Sequence, residues 1–242
     1  MERALEVGFL GGESLETQIA HAWGFVACVE TFLAQECESD SELGIASGEY
    51  PTTKSLGPAR FLDLGSGGGL PGLVLAHHWQ QSEVVLLDGN LRKTAALREA
   101  VNACGWANRV GVVHSRAEVA ARSGLRGVFD LVVSRSFGPP PVTAECAAAF
   151  LRPGGLLVVS EPPAHFIPVT GTGMCASNPG RWPSEGLVVV GLEPVAAWRR
   201  RFGYQVLRQA ASCPKRFPRR EGIPRKRPIY RLPETGTGRS DE

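Results

Sequence analysis

Within SLETQIAHAWGFVACVETFLAQE (14–36), apolar residues fall at 15, 19, 22, 23, 26, 29, 32 and 33. Spacings of three and four place them on one helical face, and Ser14 is positioned to cap the first turn. The period lapses over residues 36–58, ECESDSELGIASGEYPTTKSLGP, an acidic stretch rich in Ser, Gly and Pro that predicts a loop or linker. From residue 60 short apolar runs alternate with helical patterns. Strands are expected at 60–64, 83–88, 109–115, 127–134 and 156–160, and helices at 71–80, 90–105 and 141–151. Pro71 suits a first helical turn, Gly105 a helix end, and Arg152-Pro153-Gly154-Gly155 a turn before the fifth strand. Residues 161–185 show no period and read as a surface excursion. The last two strands are expected at 186–194 and 204–210, linked by the basic segment AAWRRRFG. Nearly all-apolar strands separated by helices imply a parallel sheet covered on both faces. The prediction is a doubly wound, mostly parallel, seven-stranded α/β sheet of Rossmann-like type. It divides into an N-terminal helix and acidic linker (1–58), the α/β domain (59–212) and a basic tail (213–242).

Composition changes this picture little. An apolar content of 43% and a charged content of 21% are ordinary for a globular protein, and no apolar run approaches the ~20 residues of a membrane-spanning helix. The opening MERALEVGFLGGESLE lacks the basic, apolar and small-residue order of a signal peptide, so a cytoplasmic address is expected. Cys28, Cys37, Cys104, Cys146, Cys175 and Cys213 form no CxxC pair and no zinc-ligand spacing with His, which predicts reduced thiols and no metal site. Charge is more informative. Residues 1–59 hold two basic and ten acidic residues, whereas residues 196–242 hold thirteen basic and four acidic ones. Such separation points to a polyanionic partner for the C-terminal end.

The candidate chemistry lies in FLDLGSGGGLPG (61–72), where five glycines fall within eight residues directly after the first strand. Glycine costs conformational entropy, so their density implies that a ligand comes close to this backbone. A glycine turn between strand and helix, with Asp88 at the end of the second strand, is a nucleotide-binding arrangement in which the acid accepts from a ribose diol. Leu70 stands where a dinucleotide fingerprint needs its third glycine, and no Lys-Ser/Thr pair completes a P-loop. What remains is Asp63-x-Gly65-x-Gly67-x-Gly69, with an acid suited to a cationic amino group two residues before the glycines. This resembles the first motif of class I S-adenosylmethionine-dependent methyltransferases.

The resemblance narrows along the chain. DLGSGGGLPG, LLD with NLRKTAALREA, HSRAE, FDLVVSRSFG, LRPGG and FPRREGIPRKRP occur in the order seen in the GidB family of bacterial 16S ribosomal RNA methyltransferases. The similarity covers about residues 60–160 and 204–228. It implies a cofactor, S-adenosyl-L-methionine, touching Gly65, Leu70, Ala117, Glu118 and Arg135, alongside Asp63 and Gly67 of the first motif and Asp88 at the end of the second strand. It also implies transfer to guanine N7. Residues 36–58 and 161–185 depart from the family pattern.

No catalytic residue is assigned. Ser134-Arg135-Ser136-Phe137 follows the fourth strand, matching neither the Pro-Pro-aromatic motif of exocyclic-amine enzymes nor the cysteine of C5 enzymes. Guanine N7 has a free lone pair, so its methylation needs in-line positioning more than a base; Arg135 and Phe137 are the positioning candidates. Arg216, Arg219, Arg220, Arg225, Lys226 and Arg227 are the candidates for RNA phosphates. The expected partner is ribosomal RNA or the small ribosomal subunit, with no membrane, and a monomer is expected. Three alternatives stay open: a methyltransferase for a small molecule or protein, a non-catalytic RNA-binding protein on a methyltransferase-like fold, and a nicotinamide oxidoreductase.

Overall fold

The computed structural model of the chain describes residues 13–42, 57–163 and 171–233. The chain opens with α1 (Leu15–Glu42), then β1 (Arg60–Leu64), α2 (Gly72–His78), β2 (Glu83–Asp88), α3 (Leu91–Ala103), β3 (Val110–His114) and the short α4 (Ala117–Ala120). There follow β4 (Phe129–Ser134), α5 (Pro140–Ala148), β5 (Leu151–Glu161), β6 (Met174–Cys175), α6 (Ser184–Leu187), β7 (Leu192–Arg199), β8 (Gly203–Gln209) and α7 (Ile223–Lys226). One sheet runs β3-β2-β1-β4-β5-β8-β7-β6. The first five strands are parallel, and β8 pairs antiparallel with β5 and with β7.

Alternation along the strands sorts the core into two layers. Phe61, Leu131, Val133, Val158 and Val206 face α1, α2 and α3, packing against Phe25, Val29, Leu75 and Leu97. Leu62, Leu64, Val132, Leu157 and Leu207 face the other way, onto α4, α5, Trp182 and Phe217. Each such side chain, once fully buried, contributes roughly 1.5–3 kcal/mol. The N-terminal helix is therefore a structural layer of the domain. Gly24 lets it settle on the Tyr204 ring, and the Tyr204 hydroxyl donates to the His21 carbonyl at 2.5 Å.

Ser14 caps α1 as expected, accepting from the Thr17 N–H at 3.2 Å. Four expectations need correcting. The sheet has eight strands, not seven, because Met174–Cys175, inside the aperiodic excursion, pairs with β7. The apolar run at 186–194 is not one strand: it ends α6, passes through a 3-10 turn (Val188–Val190), and reverses at Gly191 (φ 80°) before β7 starts at Leu192. Tertiary burial of Leu187 and Val190 overrides the β-propensity of the valines. Helix α1 runs on through the acidic stretch to Glu42, with Glu36 paired to Arg208 of β8; residues 43–56 of the expected linker lie outside the described residues. Finally, Arg152–Gly155 is a bulge within β5, where the register steps from Phe129↔Leu151 to Leu131↔Leu156. Gly155 is required there, since a Cβ would lie 2.9 Å from the Phe129 carbonyl.

Candidate active site

The carboxyl ends of β1, β2 and β4 converge on the glycine turn, the position at which open α/β sheets bind ligands. Gly65 and Gly67 have φ of 78° and 54°, conformations that L side chains rarely adopt. A Cβ at Gly65 would also come within 2.8 Å of the Phe137 ring, so this glycine lets Phe137 lie against the turn. Asp88 braces the loop, with one carboxylate oxygen accepting the Gly67 N–H at 2.9 Å and the other the Asn90 N–H at 2.7 Å. Each oxygen keeps a lone pair for a further donor.

Asp63 is fully buried. Its Oδ2 accepts the Gly72 N–H at 2.9 Å, while its Oδ1 has no hydrogen-bond partner among the described residues. Burial pushes its carboxyl up to about 7, against the pull of the Gly72 hydrogen bond and of the Arg135 charge. Arg135, next after β4, is partly buried, and desolvation pulls its guanidinium down, opposed by Asp63 and Glu13. Its Nη2 donates to Gln18 Oε1 at 3.1 Å. A buried acceptor without a partner, beside a cation that forms no ion pair with a described residue, is costly. The pair is complementary to a zwitterion whose ammonium meets Asp63 and whose carboxylate meets Arg135.

A narrow cleft continues from the turn, lined by Gly65, Asp88, Ser115, Ala117, Glu118 and Phe137 among others. An open groove between α1 and β6–β7 is larger, but it lies away from the strand ends and the glycine turn. Glu118 is buried and accepts the Gly222 N–H at 3.1 Å, so it joins the cleft to the tail. Leu70 is also buried, packing with Ala22 of α1. Among the described residues no cluster of three potential metal ligands occurs, and no helix is long and apolar enough to cross a membrane.

The basic tail is folded onto the body. Arg219 forms a two-pronged ion pair with the fully buried Glu145 of α5, at 2.9 and 2.6 Å, which takes its guanidinium out of the expected set of free phosphate ligands. Arg126 donates to the Cys213, Pro214 and Phe217 carbonyls, and Arg122 to that of Pro218. Arg216, Arg220, Arg225, Lys226 and Arg227 stay exposed. Sequence reasoning missed Gln18 and Glu145. Both carried a signal, as polar residues on otherwise apolar helical faces.

Comparison with known proteins gives the family. The model for rRNA small subunit methyltransferase G (GidB) matches residues 49–161. Ribosomal RNA small subunit methyltransferase G of Prochlorococcus marinus is 34% identical over 180 residues, covering 71% of this chain and 68% of its own. Its counterpart in Syntrophomonas wolfei is 32% identical over 177 residues, covering 71% and 77%. The chain belongs to the ribosomal RNA small subunit methyltransferase G family. Among solved structures, PigF with SAH overlaps 44% of this chain and 32% of its own at 23% identity, with a TM-score of 0.37.

Proposed function

We propose that this chain is a monomeric methyltransferase that uses S-adenosylmethionine to methylate guanine N7 in small-subunit ribosomal RNA. The observation that carries the cofactor assignment is the buried Asp63 Oδ1, without a hydrogen-bond partner among the described residues, with Arg135 nearby. Asp63 would hold the ammonium and Arg135 the carboxylate of the methionine moiety, while the remaining lone pairs of Asp88 would accept the ribose hydroxyls. Ala117, Glu118 and Phe137 would enclose the adenine side of the cleft. When bound, the cofactor supplies an electrophilic sulfonium methyl, which a nitrogen with a free lone pair takes without a base. The chain's part is then positional: Gly65 and Gly67 let the backbone approach, and Phe137 closes the turn from the β4 side. Family membership and the exposed basic tail beside Glu118 support the choice of RNA.

The test is calorimetric titration with S-adenosylmethionine, paired with methyl transfer to small ribosomal subunits from cells lacking this protein. Binding that is lost in Gly65→Arg, with methyl recovered at a guanine N7, is expected. No binding, or binding without transfer, overturns the reading.

A further inference from the structure

The arginine run singled out in the sequence, Arg199-Arg200-Arg201-Phe202, has no role in the site described above. Its place follows from the strand register. β5 ends at Glu161, opposite Gly203 at the start of antiparallel β8, and Gly203 in turn faces Arg199 at the end of β7. The β7–β8 turn therefore stands on the same sheet edge as the carboxyl ends of β1, β2 and β4. Two to three strand spacings of ~4.8 Å put it about 10–14 Å from the end of β4. Contacts agree with the register: the Phe202 ring lies 4.7 Å from that of His21, one helical turn along α1 from Gln18, which holds Arg135.

Arg200 and Arg201 are exposed, and none of the three arginines makes an ion pair with a described residue. Arg200 is oriented by the Gly171 carbonyl, and Arg201 lies over the Phe202 ring at 5.3 Å. Three adjacent cations on a tight turn repel one another and are not needed for the strands to pair. A run held at the rim of an active site is suited to oxygens of a polyanion. The tail supplies a second basic surface on the other side, where Glu221 meets Arg116 at 3.5 Å and Gly222 meets Glu118. The mouth of the site lies between the two.

We infer that the β7–β8 turn is a second RNA-binding site, taking backbone phosphates near the target nucleotide through Arg200 and Arg201 while the C-terminal tail takes phosphates on the opposite rim. This rests on the reading of the chain as an RNA methyltransferase. The test is the double variant R200Q/R201Q, with R200K/R201K as the charge-retaining control, in RNA binding across a salt series and in methyl transfer to undermethylated small subunits. Losing two phosphate contacts lowers the slope of log affinity against log salt by about 1.4 and raises KM about tenfold at physiological salt. kcat stays within twofold, S-adenosylmethionine affinity is unchanged, and the lysine variant keeps the wild-type slope. A glutamine variant with wild-type slope and KM overturns the proposal, as does a lysine variant that fails as badly as the glutamine one. Absence of transfer by the wild-type chain in the same assay overturns the methyltransferase reading instead; the slope comparison needs only binding and still decides the turn.

Discussion

Asp63 concentrates the electrostatic tension of the site in one carboxyl. Its folded pKa, raised by burial to about 7, exceeds the unfolded value of ~3.9. Such a group binds more protons in the folded chain, so its stabilising contribution is present below pH ~4 and is lost as pH rises through 7. The difference amounts to roughly 4 kcal/mol at most. Asp63→Asn should therefore flatten the pH dependence of unfolding between pH ~4 and 7 and raise Tm at pH 8, while S-adenosylmethionine affinity falls at least tenfold. A melting series at several pH values, with calorimetry alongside, checks both halves; an unchanged pH slope would refute the assignment of that slope to Asp63. Gly65→Ala makes a different demand. The positive φ costs about 1–2 kcal/mol for an L side chain, and the new Cβ would displace Phe137, so Tm and cofactor affinity should fall together. Asp63, Gly65, Gly67 and Asp88 were legible in the sequence because the turn that brings them together is local. Gln18 was not, since its contact with Arg135 spans 117 residues.

At the scale of elements, the C-terminal segment behaves as part of the fold. Phe217 is buried in the second layer of the core, with Ile229 and Tyr230 packed against it. Glu145 is fully buried, so its charge is tolerated only while Arg219 pairs with it. Arg219→Ala should cost about 3–5 kcal/mol in urea unfolding, because it strands a buried carboxylate. Adding Glu145→Leu should restore most of that loss, and a double variant as unstable as the single one would refute the account. The same pair shows what sequence reading reaches. Strands β1 to β4 and helices α2, α3 and α5 were legible because each keeps one period, whereas β5 was legible only from Leu156, because Pro153-Gly154-Gly155 reads as a turn where it forms a bulge. The region after β5 was not: Val188–Val190 look like strand residues, yet Gly191 and the burial of Leu187 and Val190 turn them into a helical layer. The acidic end of α1 looked like a linker because its anchor, Arg208, lies far away in sequence.

Across the whole molecule, charge is sorted by position: acidic residues gather towards the N-terminus and basic ones beyond residue 195. The tail combines two functions that experiment can separate. Its inward residues, Phe217 and Arg219, hold it to the body, while Arg216, Arg220 and Arg225 are exposed, Arg216 lying over the Phe217 ring. Truncation after Ser212 would remove both sets, and lost RNA binding in such a chain would not distinguish a missing ligand from a damaged fold. Replacing only the outward arginines avoids this. R216Q/R220Q/R225Q should leave Tm within a few degrees, since exposed charges contribute little to stability, and should leave S-adenosylmethionine affinity unchanged. Its RNA affinity should fall on the order of tenfold or more at physiological salt, with a salt slope about 2 units shallower, because each lost phosphate contact removes ~0.7. Wild-type affinity and slope in this variant would show that the tail's positive charge serves solubility, leaving the β7–β8 turn as the basic rim.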